Sequence, residues 1–160
     1  MRQMKVLNDI GQVLHDYCFR EDILEEPSYL DMIAKKIPQV DIGEISDHLL
    51  LMRFFIVDFG VKLALGQNNG EDIAPILDSF RENLHQTLNS QDFPRVQSAM
   101  NSYWSCYQSV GADRFIDEVP YVFERICGIQ SEDIRFVGLN NFSLFFDFVI
   151  KTSQLESIYQ

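Results

Sequence analysis

The sequence is short of cysteines and of long apolar segments, and each shortage excludes a class of protein. Its three cysteines, Cys18, Cys106 and Cys127, form no C-x-x-C pair. This odd number and wide spacing argue against a disulfide framework and a structural zinc site. The most apolar stretch, residues 49–65, contains three charged side chains and is a poor membrane span. With no apolar run of signal-peptide length at the N-terminus, we expect a soluble, cytoplasmic protein.

Basic residues are also few, which restricts the partners. Thirteen Lys and Arg residues stand against 24 Asp and Glu residues, giving a formal net charge of −11 and a pI near 4.5. The only adjacent basic pair is Lys35-Lys36. Because this field repels phosphate groups, we expect neither direct nucleic-acid binding nor attachment to anionic membranes. A basic protein partner is compatible with the charge.

No sequence motif of a known catalytic site is present. The patterns of P-loops, dinucleotide-binding turns, zinc proteases and serine hydrolases are all missing. The three histidines, His15, His48 and His85, stand on different predicted helices, and a metal site would need at least two of them to converge with carboxylates in the fold. We therefore predict no catalytic residue, no cofactor and no metal. A metal- or cysteine-dependent hydrolase whose residues meet only in the fold stays open as an alternative.

Hydrophobic residues make up 46% of the chain and recur at helical spacing, which predicts one folded helical domain over residues 1–160. The strongest segment begins at Asp41, which forms a capping-box pattern with Glu44, and ends at about Leu65. It is apolar on nearly all sides, as expected of a central helix. We predict an all-α fold, an irregular bundle of about six to eight helices around helix 41–65. Other helices are predicted at about 7–18, 28–37, 72–88 and 94–110.

The C-terminal third is more ambiguous. Pro120 is unfavourable inside a helix, so we predict a break near Asp117 and a helix from 118 to 127. Within 134–150, a Gly-Leu-Asn-Asn segment separates two apolar runs, which is compatible with a small β-hairpin. A helix from Asn141 to about Ile158 fits the spacing of the apolar residues better. Ser131, followed by Glu132 and Asp133, suggests another helix start before this segment.

The segment between Arg95 and Asp113 contains no charged residue. Serine, asparagine and glutamine occupy its polar positions, beside aromatic residues of the kind that protein interfaces favour. The pattern predicts a partner-docking or dimer face; a helix in the interior, with small residues that permit close packing, is the alternative. The residues predicted to contact a partner here are Asn101, Tyr103, Trp104, Tyr107 and Gln108.

A second candidate contact region is acidic. Residues 16–26 hold five carboxylates and a single arginine. Such a cluster can speed and select association with a basic partner, although solvation and helix capping are the simpler explanation. The residues predicted to contribute are Asp16, Glu21, Asp22, Glu25 and Glu26.

Together these features predict a non-enzymatic, acidic protein-binding module. The size, charge and helix content are similar to those of immunity proteins and other inhibitors that occlude a basic toxin or nuclease. This similarity is an analogy and depends on no shared motif. A self-associating structural bundle, a homodimer included, or a bundle that binds a small ligand is the main alternative.

Overall fold

A computed structural model describes residues 3–22 and 26–155, and within these ranges the chain forms seven α-helices and no strand. The all-α prediction is therefore confirmed, and the alternative β-hairpin at 134–150 is not formed. A short 3-10 turn at Gly70–Asp72 precedes the fourth helix. The helices are α1 (Met4–Cys18), α2 (Glu26–Lys36), α3 (Ile42–Leu65), α4 (Ile73–Thr87), α5 (Phe93–Val110), α6 (Ala112–Cys127) and α7 (Glu132–Leu155).

Helix α3 is the centre of the bundle, as predicted. Its first turn is capped by Asp41, whose side chain accepts a hydrogen bond of 3.2 Å from the Glu44 backbone amide. All residues from 52 to 61 are buried, and α3 contacts each of the other six helices. A helix apolar on nearly all sides is stable only where neighbours cover every face, and the fold supplies them.

Two neighbours of α3 determine where the candidate site lies. Helix α5 runs parallel to α3, because Arg95 lies near Glu44 at one end and Tyr107 lies near Phe59 at the other. Helix α6 packs against both α5 and α7. The C-terminal end of α5 and the start of α6 therefore meet over the C-terminal half of α3.

The predicted break near Asp117 is wrong, because α6 is continuous from Ala112 to Cys127 with Pro120 inside it. A proline within a helix costs about 3 kcal/mol. Burial of four large apolar side chains, each worth about 1.5–3 kcal/mol, offsets that cost. Those side chains are Phe115, Val119, Val122 and Phe123.

The predicted start of the last helix at Asn141 is wrong, whereas the start suggested at Ser131 is confirmed. The predicted end at Ile158 lies outside the described residues. Helix α7 begins at Glu132, where the Ser131 hydroxyl accepts hydrogen bonds from the backbone amides of Asp133 and Ile134. Gly138, which suggested a turn, is a packing position: a Cβ atom there would lie 2.5 Å from the Phe123 ring. A residue that is typical of a turn is thus used here for close packing inside the bundle.

A buried polar cluster joins four helices around Arg53, which is 1% exposed. Its Nε donates to the Cys18 carbonyl oxygen at 2.7 Å. Its Nη1 atom donates to Glu26 Oε1 at 2.8 Å and to Asn141 Oδ1 at 3.0 Å. Asn141 in turn donates to the Leu49 carbonyl oxygen. This cluster connects the end of α1 and the start of α2 to α3 and α7.

Candidate functional site

Helix α5 lies at the surface of the bundle. Of its 18 residues, only Ala99 and Tyr103 are buried. The alternative interpretation, a helix in the interior, is therefore wrong, and the charge-free segment faces solvent. Along the open side, small polar groups bond within the helix: Gln97 Nε2 donates to Asn101 Oδ1 at 2.9 Å, and the Ser102 hydroxyl donates to the Ser98 carbonyl oxygen.

A wide groove of about 1130 Å³ runs between α5 and α6, and we call it the α5–α6 groove. It is open to solvent along its length, and α5 contributes most of its wall. Its lining residues are Pro94, Gln97, Ser98, Asn101, Ser102, Ser105, Cys106, Ser109 and Val110 from α5, and Glu118, Val122, Arg125 and Ile126 from α6.

Tyr103, which the sequence analysis placed among the contact residues, is a core residue instead. Only 1% of it is exposed, and its ring stacks on Phe55 with a centroid distance of 5.1 Å. Its side chain cannot reach a partner in this conformation. Burial raises the pKa of Tyr103 well above 10, so the phenol stays neutral.

Trp104 and Tyr107 lie half-buried in a continuous cluster of rings. Trp104 contacts Phe59 and Tyr107 edge to face, at centroid distances of 5.7 and 5.8 Å. The ammonium group of Lys62 lies 5.2 Å from the Trp104 ring, in cation–π geometry. Asn101 and Gln108 are exposed, as a contact surface requires.

A solvent-open pocket of about 200 Å³ lies at the junction of α3, α5, α6 and α7; we call it the aromatic pocket. Two aliphatic side chains in its lining are unusually accessible: Leu63 is 52% exposed and Ile116 is 45% exposed. Two exposed acidic residues of α6 are near Ile116: Asp113 lies one helical turn before it, and Asp117 follows it in sequence. The lining residues are Phe59, Leu63, Tyr107, Ala112, Phe115, Ile116, Phe142 and Phe146.

Of the pocket residues, the sequence analysis identified only Tyr107 as a contact residue. The signal that could have indicated the rest is weak: Ile116 is an apolar residue set between acids on the polar side of an amphipathic helix. That signal locates one side chain, and the other walls come from three helices distant in sequence. The pocket is a property of the tertiary packing.

The acidic region 16–26 is divided by the fold. Glu26 is 2% exposed, and its carboxylate accepts hydrogen bonds from Arg53 and from the Ser46 hydroxyl. Its predicted role in contacting a partner is therefore wrong, because its charge is neutralised inside the bundle. Asp16, Glu21 and Asp22 are exposed, and Glu25 lies outside the described residues.

The three thiols are poorly suited to nucleophilic chemistry. Burial raises the pKa of Cys127 to about 12 and raises the pKa values of Cys18 and Cys106 as well. Since the thiolate is the reactive form, all three are protonated and weakly nucleophilic at neutral pH. These values count against a cysteine-dependent hydrolase. Within residues 3–22 and 26–155, no three His, Cys, Asp or Glu side chains form a group able to hold a metal ion.

A further cavity, of about 180 Å³, lies between α4 and α5 and includes Asp58, Arg81 and His85 in its lining. Arg81 donates to Asp58 at 3.2 Å, and His85 stacks on Phe93 with a centroid distance of 4.4 Å. The cavity is smaller than the roughly 300–1,000 Å³ typical of ligand sites. Two of its charged groups, Asp58 and Arg81, are bonded to each other, so the cavity gives little support to a small-ligand function.

His48 provides a pH-dependent test of the packing between α3 and α5. Burial lowers the pKa of His48, with Arg95 acting in the same direction and Glu44 and Asp47 opposing it. Below about pH 6.5, His48 is therefore protonated more readily in the unfolded state than in the folded state. We expect the free energy of unfolding to fall as pH drops from about 7.5 to 5.5, and His48→Gln to reduce this slope.

Urea unfolding of wild type and His48→Gln at a series of pH values checks the prediction. The difference between the two proteins isolates the imidazole from the carboxylates, which titrate in both. Identical slopes would show that His48 is as easily protonated in the folded state as in the unfolded chain.

Comparison with protein-family models, with curated proteins and with solved structures gives no match. None of the helices over 3–22 and 26–155 combines the length and apolar character needed to cross a membrane.

Proposed function

We propose that this chain is a non-enzymatic protein-binding module that captures a basic partner at the aromatic pocket. The observation that carries the proposal is the pocket itself, with aromatic walls and with Leu63 and Ile116 exposed at solvent. A single exposed apolar side chain is ordinary, but two that line the same pocket form a patch of the kind that marks interaction sites. Binding energy at interfaces concentrates where an apolar side chain of one partner fills a pocket of the other.

Charge supports a basic partner. The chain has a net charge of −11, and Asp113 and Asp117 are near the exposed Ile116. Opposite charges beside an apolar anchor speed association and select the partner. The recognised segment would carry a leucine-, methionine- or phenylalanine-like anchor flanked by Lys or Arg. In its more specific form the proposal is inhibition, in which the acidic bundle occludes a basic toxin or nuclease.

The test uses two short amphipathic helical peptides with the same apolar face, one with lysines and the other with glutamates on the polar face. Trp104, the only tryptophan, lies beside the pocket and reports binding by its fluorescence. We expect the lysine peptide to bind, and its affinity to fall as salt rises from about 50 to 500 mM. Titration calorimetry gives the dissociation constants.

Ile116→Asn, which removes the apolar contact without adding charge, should weaken binding of the lysine peptide at least about ten-fold. Leu144→Asn is the matched control, because Leu144 is also 45% exposed but lies on the other side of α7 from Phe142 and Phe146. Equal binding of both peptides, equal losses in both variants, or no binding tighter than about 1 mM would each overturn the proposal.

A further inference from the structure

We infer that the α5–α6 groove is the surface through which two copies of this chain associate. The inference is independent of the aromatic pocket, since the two surfaces have different walls. The groove lies along the outer side of α5 and α6, between Pro94 and Ile126. The aromatic pocket lies at the end of these helices, between Leu63 and Ile116.

The first support is the charge distribution. Residues 96–112 carry no Lys, Arg, Asp or Glu, in a chain that has 37 such residues elsewhere. Two copies with a net charge of −11 repel each other unless they meet where that charge is absent. A basic partner gains nothing from such a surface, because its cations would find no carboxylates on α5. A second copy is the occupant that benefits from a neutral face.

The second support is the pair of charges at the groove wall. Only Glu118 and Arg125 are charged among the lining residues, and both are on α6. Two-fold symmetry brings the same patch of both copies together, so residue i of one meets residue j of the other. Glu118 already lies 3.8 Å from Arg114 on its own helix, and an arrangement that places Glu118 against Arg125 of the second copy forms two further ion pairs across the interface.

The third support is the position of Cys106. Cys106 lines the groove together with Glu118 and Arg125. A two-fold axis that exchanges Glu118 and Arg125 between copies passes between them, within the groove that Cys106 lines. The serines and asparagine around it are short and uncharged, and lose less side-chain entropy and hydration on burial than ions would.

Sedimentation equilibrium of the full chain tests the inference. We expect a monomer–dimer equilibrium over about 10–200 µM that strengthens as salt rises from about 50 to 500 mM, because salt screens the repulsion between like-charged copies. This dependence is opposite in sign to that expected for a basic partner at the aromatic pocket. Failure of one proposal therefore leaves the other unaffected. A chain that stays monomeric throughout this range overturns the inference.

Variants locate the surface. Ser98→Glu combined with Ser105→Glu places charge on the groove and should weaken the dimer at least about ten-fold. Gln12→Glu combined with Gln86→Glu adds the same charge at exposed positions of α1 and α4 and serves as the control. Equal weakening by both pairs would assign the effect to net charge and overturn the inference.

A charge reversal gives an independent readout. Arg125→Glu alone should weaken the dimer, and Glu118→Arg in the same chain should restore it, since the reversed pair is again complementary under the two-fold. At mildly alkaline pH, where more of the Cys106 thiol is ionised, a short bis-maleimide should also join two copies through Cys106 in wild type, and fail in Cys106→Ser. Absence of both rescue and cross-linking would show that any dimer uses another surface.

Discussion

Replacing Glu26 with alanine is expected to lower the free energy of unfolding by about 3–5 kcal/mol. The substitution removes the carboxylate that accepts from Arg53 at 2.8 Å, where the two side chains are 2% and 1% exposed. Among residues 3–22 and 26–155, the buried guanidinium then keeps two neutral acceptors, the Cys18 carbonyl oxygen and Asn141 Oδ1. Urea unfolding should show a lower midpoint, and thermal unfolding a Tm reduced by about 10 °C or more.

An exposed ion pair of the same length is the matched control. Lys151 and Asp147 are also 2.8 Å apart, but their side chains are 75% and 63% exposed. Asp147→Ala should cost no more than about 0.5 kcal/mol, because solvent already screens the pair. Equal losses in the two variants would mean that burial does not determine the strength of the Glu26–Arg53 interaction.

The double variant Glu26→Leu, Arg53→Met separates the pair from the rest of the cluster. With both charges removed, no ion is left uncompensated, so the loss should be smaller than that of Glu26→Ala. Any remaining loss of stability would come from the hydrogen bonds that the two substitutions also remove. The Ser46 hydroxyl donates to Glu26, and the Cys18 carbonyl oxygen accepts from Arg53. A double variant less stable than Glu26→Ala would contradict this account.

Features that depend on near neighbours in sequence could be predicted. The cap at Asp41 requires only residues within one turn, and it is present as the pattern indicated. The helix ends predicted at 110 and 127 are also present, and the residues that follow them, Gly111 and Gly128, have φ angles of 82° and 72°. Positive φ angles of this kind favour glycine, so the signal is local and physical. The central position of α3 could be predicted because apolar residues occupy nearly all sides of this helix.

Features that depend on tertiary partners could not be predicted. Pro120 and Gly138 are helix-breaking residues by propensity, and packing against the bundle overrides that preference. For Glu26, nothing local indicated a buried arginine 27 positions away. Tyr103 and Trp104 are adjacent in sequence, yet one is enclosed and the other reaches the surface, because about 100° of helix rotation separates them. The aromatic pocket needs four helices in place before it exists.

Gly11 is the position where a single methyl group should separate two helices. A Cβ atom there would lie 2.6 Å from the Ile76 carbonyl oxygen and 2.7 Å from Ser79 Cβ, both on α4. Neither atom can rotate away, because one is backbone and the other is attached to it. The helices also share a hydrogen bond of 2.8 Å from the Ser79 hydroxyl to the Asn8 carbonyl oxygen, which separation would break.

Two opposing effects determine the result for Gly11→Ala. Alanine favours the helix by about 1 kcal/mol relative to glycine. Overpacking against an unyielding neighbour costs about 1–3 kcal/mol, and the hydrogen bond lost with it about 1 kcal/mol. We expect a net loss of about 1–3 kcal/mol for alanine and more for Gly11→Val, measured by urea unfolding. Hydrogen exchange should accelerate in α1 and α4 more than in α7.

Gly70→Ala shows the propensity effect without the clash. A Cβ atom at Gly70 would meet nothing within 4 Å, and its φ is not positive. We expect this variant to be unchanged or stabilised by about 0.4–1 kcal/mol. Gly11→Ala and Gly70→Ala should thus differ in sign although the chemical change is the same. If Gly11→Ala were stabilised to the same extent as Gly70→Ala, α1 would have to be free to move away from Ile76, and the close approach of α1 and α4 would contribute nothing to stability.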